Sequence, residues 1–247
     1  MYEPRLYRNI PANQRFSGIE ISRFETDLWI AVAGGTVEAN LYDYVNDVII
    51  SLRDDLYRYR QRCPEFFASL EPLPFDENAP AVVQKMLNAG IRARVGPMAA
   101  VAGAFAEEIG IAIKQKFHVP ELIIENGGDI FLDITEPVVV SVYAGGSPLS
   151  DKVALRVPPE YSPLGICSSS GKFGHSKSFG NADVVTISCR DTATADAFAT
   201  AFGNRIHSAD DIKNLIAESN TIDSILSALI IADEKIGIQG KFELQLI

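Results

Sequence analysis

The segment that most constrains the fold is residues 97–117, which is rich in alanine and carries apolar residues nearly all round a helical projection. A helix without a polar face is buried inside a protein instead of lying on its surface. Within it, Ala102, Gly103 and Ala104 are small enough to let another backbone approach closely. The sequence therefore predicts a buried helix here, with a site of close packing near its start.

The other predicted elements follow from hydrophobic periodicity. Apolar residues that alternate on either side of Thr26 and Asp27 predict a hairpin. Three- and four-residue apolar spacing predicts a long amphipathic helix that begins near an N-cap at Thr36. Short apolar runs predict strands, one of them at residues 184–187. The residues that follow this strand predict a second buried helix, with Asp191 or Thr192 as its N-cap. The remaining predicted elements are a short helix at 81–89, strands at 122–124, 130–132 and 138–142, and a C-terminal strand with one wet face.

Strands and helices mix without the regular β-α alternation of a doubly wound fold. The chain shows no internal repeat and no linker long enough to separate independent domains. We therefore expect residues 1–247 to form a single α+β domain, with mixed or antiparallel sheets packed against helices, or two intimately packed halves.

The charge balance narrows the classes of partner. The chain has 22 Lys and Arg against 32 Asp and Glu, a formal net charge of −10, so a nucleic acid or an anionic membrane is not an expected partner. A phosphorylated small molecule remains compatible, because backbone N–H groups at glycine turns and helix N-termini bind phosphate. Its three cysteines lack C-x-x-C spacing, and no apolar leader is apparent, so we expect a cytoplasmic protein without disulfides or structural zinc.

A glycine-rich turn between two apolar runs is the first candidate for chemistry. Gly127 and Gly128 allow positive φ and leave backbone amides uncovered, while Asn126 and Asp129 place polar groups beside them. An ordinary hairpin turn would have the same composition. The turn is therefore a candidate binding element, with a purely structural role as the alternative.

A second candidate is the polar segment 167–181, which holds five serines, three glycines, two lysines and His175. The hydroxyls and exposed amides of this segment suit a phosphate, and the imidazole of His175 suits proton transfer. A surface loop without function is the alternative.

The third candidate is the helix that carries Asp196 and Thr200. Residues four apart lie on one helical face, so a carboxylate and a hydroxyl stack there. Such hard oxygens suit Mg²⁺ completed by waters and ligand phosphates. The alternative is a polar stripe on a buried helix, with Asp196 favoured by the helix dipole.

These segments together resemble the ApbE-type FAD:protein FMN transferase superfamily. The resemblance rests on a glycine-rich helix entry, an Asn-x-Gly-Gly-Asp turn, a Ser-Gly pair followed by a His loop, and an Ala-Asp-Ala-x-Ala-Thr helix. Their order and approximate spacing match over roughly residues 90–205. In this chain they are residues 96–107, residues 126–129, Ser170 and Gly171 with His175, and residues 195–200.

The resemblance implies a T-fold-type α+β domain that binds FAD with Mg²⁺ at its pyrophosphate. By position, it assigns Mg²⁺ to Asp196 and Thr200, with a carbonyl from residues 99–103. It assigns the flavin pocket to residues 126–129, the phosphates to Ser169 and Ser170, and a place beside them to His175. An acceptor protein is implied without being identified.

Two other hypotheses stay open. His175 could act as a general acid or base on a different phosphorylated small molecule, or the pocket could bind a ligand or partner without catalysis.

Overall fold

An eight-stranded sheet forms the middle layer of the protein. The computed structural model describes residues 15–34, 40–172 and 179–247. Every described strand pairing is antiparallel, and the order across the sheet is β1-β2-β3-β4-β7-β8-β9-β10. A smaller sheet has the order β11-β6-β5. The strands are β1 Phe16–Arg23, β2 Thr26–Ala33, β3 Leu122–Asn126, β4 Asp129–Asp133, β5 Val138–Ser141, β6 Val153–Val157, β7 Leu164–Ser169, β8 Val184–Cys189, β9 Ile225–Ala232, β10 Lys235–Gly240 and β11 Glu243–Leu246.

Helices cover one face of the large sheet. Residues 97–117, predicted as one buried helix, form a 3₁₀ turn at Pro97–Ala100 followed by helix α3 (Val101–Lys116), of which half the residues are buried. Gly110 lies against the Phe131 ring of β4, where a β-carbon would collide with it. The helices are α1 Leu41–Arg62, α2 Ala81–Ala93, α3 Val101–Lys116, α4 Thr192–Gly203 and α5 Ile212–Ser219.

Two apolar cores lie on opposite faces of the large sheet. The first joins the sheet to the helices and includes Ile124 of β3, Ile109 of α3 and Phe202 of α4. The second joins the large sheet to the small sheet and includes Leu229 of β9 and Leu155 of β6. Side chains alternate between the two faces along each strand, and the α+β class expected from the sequence is confirmed.

Several details differ from the prediction. Strands β6, β7, β9 and β10 and helix α5 were not predicted, and β7 extends to Ser169, so the start of the segment predicted as a loop at 167–181 is strand. The Thr36 cap lies outside the described residues. The predicted short helix at 81–89 continues to Ala93, where Arg94 adopts a left-handed conformation that ends it.

The C-terminal strand does not bury its apolar face as predicted. Leu246 of β11 is 83% exposed and Leu244 is exposed as well, whereas Phe242, which precedes β11, is buried in the second core.

Within the described residues no single helix is long and apolar enough to cross a membrane, and one bent helix pair, Ala81–Ala93 with Pro97–Lys116, satisfies length and composition only when the two are taken together.

Candidate functional site

The glycine-rich turn is a tight hairpin that links β3 to β4. Asn126 and Asp129 are paired across the hairpin, and the two residues between them have positive φ, 71° at Gly127 and 99° at Gly128. Two consecutive left-handed residues form a turn of the kind that favours glycine at both positions. The Gly128 N–H donates to Glu125 Oε1 at 2.7 Å. The hairpin predicted as the structural alternative is therefore present, and a binding role would be additional to it.

The Asn126 side chain joins this turn to the start of α3. Its Nδ2 donates to the Ala102 carbonyl oxygen at 3.0 Å, and the side chain is largely buried. The predicted turn and the predicted buried helix consequently meet through a polar contact between distant parts of the chain.

Asp196 reaches the same place from α4. Its Oδ2 accepts a hydrogen bond from the Gly103 N–H at 2.9 Å. A β-carbon on Gly103 would lie 2.5 Å from the Thr192 carbonyl oxygen and 2.8 Å from Asp196 Cβ. Glycine at 103 therefore lets the first turns of the two helices touch, and Asp196 satisfies an amide that has no partner within α3.

Asp129 and Asp196 form a buried pair of carboxyl groups. Burial raises the pKa of Asp129 well above its usual value, and the negative charge of Asp196 raises it further. Burial also raises the pKa of Asp196, against the opposing effect of the Gly103 and Ala102 amides. Two carboxyl groups buried close together disfavour each other's ionisation, because their negative charges repel and little water screens them. A cation between them would relieve both effects.

One oxygen of this pair has no partner. Asp129 is 5% exposed, and its Oδ1 makes no hydrogen bond within the described structure. Directly across the sheet lies Cys167, whose thiol donates to the Thr192 carbonyl at 3.3 Å. Burial raises the pKa of the Cys167 thiol well above its usual value. This cysteine is therefore a neutral hydrogen-bond donor there, not a thiolate ligand.

The oxygen atoms at this place suit a hard cation that the protein coordinates only in part. Among the described residues, no group of three or more His, Cys, Asp or Glu side chains is arranged to hold a metal ion. A cation at Asp196 would need a hydroxyl, a backbone carbonyl or ligand oxygens as well, which is how Mg²⁺ is commonly held. Thr200 lies one helical turn beyond Asp196 and is half-buried. The hydroxyl oxygen of Thr200 is the second predicted protein ligand of the cation.

The serine segment runs from the end of β7 toward the same helix. Ser169 Oγ is buried without a hydrogen-bond partner in the described structure. Ser170 Oγ accepts from the Lys172 N–H at 3.1 Å, and the Gly171 N–H donates to the Ala182 carbonyl at 3.1 Å. Gly171 lies so close to the Gly180 carbonyl that a β-carbon would not fit. The two ends of the intervening segment are therefore held together.

His175 falls in residues 173–178, which lie outside the described residues. The chain resumes beside the end of α4, where the Phe179 N–H donates to Asn204 Oδ1 at 2.8 Å. The base of the histidine segment is thus fixed near α4, and the role of His175 stays a prediction.

Two charged residues near this site were not predicted. Glu107 of α3 is largely buried, and its Oε2 accepts from the Thr192 N–H at 2.7 Å. Lys85 of α2 donates to Glu107 Oε1 at 2.6 Å. The available signal was the pair of acidic residues, Glu107 and Glu108, within the apolar first three turns of α3.

The chain is similar to known proteins in both sequence and fold. A family model described as "AbpE bacteria" matches residues 8–237. The UPF0280 protein of Methanocaldococcus jannaschii is 38% identical over 200 residues, covering 79% of this chain and 80% of the relative. The UPF0280 protein of Methanospirillum hungatei is 47% identical over 162 residues, covering 66% of each.

Solved structures of similar fold have low sequence identity. Flavin transferase ApbE from Vibrio cholerae superposes with a TM-score of 0.58 at 10% identity, covering 94% of this chain and 96% of that one. The apo form of Pseudomonas stutzeri flavinyl transferase ApbE gives 0.60 at 12% identity, covering 94% of both chains. At these identities the similarity establishes a shared fold.

Proposed function

Because this chain belongs to the AbpE bacteria family, we propose that it binds a flavin nucleotide, FAD, with the help of Mg²⁺, and that it transfers FMN to an acceptor protein. The observation that carries the proposal is the buried meeting point of Asn126, Asp129 and Asp196 at the start of α3. Two solved structures that share the fold are those of a flavin transferase and a flavinyl transferase.

Asp196 and Thr200 would hold the cation, and a carbonyl near the start of α3 would complete its protein ligands. The unpartnered Asp129 Oδ1 supports a cation here, because a buried carboxylate oxygen without a partner is costly unless something positive or hydrogen-bonding reaches it. Mg²⁺, when bound, supplies positive charge that neutralises a pyrophosphate and its leaving group.

The nucleotide would lie across the hairpin and the serine segment. Gly127 and Gly128 present backbone without side chains, so a planar ring or a phosphate can approach them closely. Ser169 offers a buried hydroxyl that makes no hydrogen bond within the described residues. These groups orient the ligand, while Asn126 and Asp129 fix the turn.

The first test compares FAD binding to wild type and to Asp196→Asn with and without Mg²⁺, using isothermal titration calorimetry. An asparagine oxygen still accepts from Gly103 N–H, so the substitution removes the charge and keeps the hydrogen bond. We expect affinity in Mg²⁺ to fall at least about tenfold and the Mg²⁺ dependence to disappear. Asp210→Asn, at an exposed residue paired with Lys235, is the control. Equal affinity in wild type and Asp196→Asn, or no binding by wild type, contradicts the proposal.

Product analysis separates transfer from binding alone. Incubation with FAD, Mg²⁺ and a peptide that offers a serine or threonine hydroxyl, followed by chromatography, should yield AMP and an equal amount of FMN attached to that hydroxyl if FMN is transferred. Tight binding without AMP would instead support a non-catalytic ligand-binding protein. If binding occurs, a hundredfold ligand excess over Kd should add about 2.7 kcal/mol to the free energy of unfolding.

A further inference from the structure

Glu107 holds the first turn of α4 from a neighbouring helix. The Thr192 N–H begins α4 and has no partner within that helix, and it donates to Glu107 Oε2 at 2.7 Å. Thr192 and Glu107 are both buried, so water does not replace this bond. The carboxylate therefore fixes where α4 starts.

The second oxygen of Glu107 is held by Lys85. The Lys85 ammonium lies 2.6 Å from Glu107 Oε1 and 2.7 Å from Glu108 Oε1. Of these two acidic residues, only Glu107 also accepts a hydrogen bond from α4. Lys85 thus offsets the buried charge, while the contact with Thr192 is specific to Glu107.

The bonding between the two helices is reciprocal. Glu107 of α3 accepts from the start of α4, and Asp196 of α4 accepts from the Gly103 N–H near the start of α3. Gly103 of α3 and Gly165 of β7 both pack so closely against Thr192 that a β-carbon at either position would collide with it. Any movement of Thr192 would therefore carry Asp196 with it, one turn along the same rigid helix.

We propose that Glu107 is a positioning residue for the cation site, because it fixes α4 at Thr192 and so holds the Asp196 carboxylate in place. This inference rests on the proposed function. Glu107 need not touch the cation, and its effect passes through the backbone of α4.

Two variants of similar size isolate the hydrogen bond. Glu107→Gln and Glu107→Met both remove the charge that pairs with Lys85, but only glutamine keeps an oxygen that can accept from Thr192 N–H. Glu108→Gln is the control, because Glu108 shares Lys85 and makes no described contact with α4. The measurement is Mn²⁺ affinity of the full chain in saturating FAD, followed by electron paramagnetic resonance of free Mn²⁺.

We expect Mn²⁺ affinity to fall about tenfold or more in Glu107→Met. Glu107→Gln and Glu108→Gln should stay within about threefold of wild type. FAD affinity measured without metal should be equal in all four proteins. Equal Mn²⁺ affinity in Glu107→Met and Glu107→Gln overturns the inference, whereas a wild type that does not bind Mn²⁺ overturns the proposed function itself.

Thr192→Pro tests the same bond from the donor side. Proline is tolerated at the first position of a helix, and Asp191 already has the extended conformation, φ −105° and ψ 120°, that a following proline requires. We expect the same loss of Mn²⁺ affinity as in Glu107→Met. If neither variant folds, the role of Glu107 is stability alone and the positioning role is wrong.

Discussion

Gly103 is the residue whose size sets the distance between α3 and α4. The space where its β-carbon would lie is taken by the Thr192 carbonyl and by Asp196 Cβ. The carbonyl is backbone in a buried helix and cannot swing aside. The small size of residue 103 is thus a geometric requirement of the site.

We expect Gly103→Ala to destabilise the protein by about 1–2 kcal/mol, because overpacking outweighs the better helix propensity of alanine. Urea unfolding measures the change. Gly146→Ala is the control, because nothing lies within 4 Å of a β-carbon built at Gly146. A stabilised Gly103→Ala would show that the helices separate readily.

Glu121 gives the stability of the fold a defined acid dependence. The Arg15 guanidinium, with help from amides at Thr135 and Glu136, lowers the pKa of Glu121 from 4.5 to about 2. A lowered carboxyl pKa contributes stability above the unfolded-state value, and the contribution is lost as the pH falls through the folded-state value. Wild type should therefore lose stability between about pH 4.5 and pH 2.

Glu121→Gln isolates that contribution. We expect it to be less stable than wild type at pH 6 and to lose less stability on acidification, measured by urea unfolding at several pH values. Parallel pH curves for the two proteins would contradict the assignment. The difference between the curves removes the effects of other acids.

At the scale of single residues, sequence located Asn126, Asp129 and Asp196 but not what they contact. Their motifs are local, whereas the partners of Asn126 and Asp196 are backbone groups near the start of α3. Lys85 belongs to no motif, Glu107 ends the segment 96–107 without an assigned role, and the two meet only when α2 and α3 pack. Such long-range partners are not encoded in spacing along the chain.

Among the secondary-structure elements, α4 has a side-chain cap that was predicted. Asp191 Oδ1 accepts from the Thr194 N–H at 2.6 Å. Removing such a cap costs about 1 kcal/mol, so Asp191→Ala should lower the free energy of unfolding by about that amount. Asn40→Ala should change it by less than about 0.5 kcal/mol, because Asn40 precedes α1 without a side-chain cap. Equal losses in the two would contradict the capping role.

Periodicity predicted the elements that have a clear pattern and missed those that do not. Strand β9 is buried along nearly its whole length and lacks alternation, since both faces of the large sheet are covered. Strand β10 contains two glycines, which weaken a strand signal, and it pairs only with β9 within the described chain. Burial on both faces removes the polar residues by which a strand is recognised.

For the whole molecule, the two cores share one sheet, and β9 connects them. Leu229 belongs to the core beneath the small sheet and Ile230 to the core beneath the helices, and both are fully buried. Each change to alanine should cost about 2–5 kcal/mol. If the sheet makes one cooperative unit, both variants should shift the same single transition in calorimetry. Two transitions, each moved by one variant, would support two separate halves.

The order and direction of the strands indicate where a label can be attached without disturbing the candidate site. The strands that carry it, β4 and β7, occupy the middle of the eight. A fluorophore or an immobilisation tether attached at Glu160, which is exposed shortly before β7 begins at Leu164, would lie at the end of these strands opposite Gly127 and Gly128. Surface-based assays could therefore anchor the protein there while leaving the centre untouched.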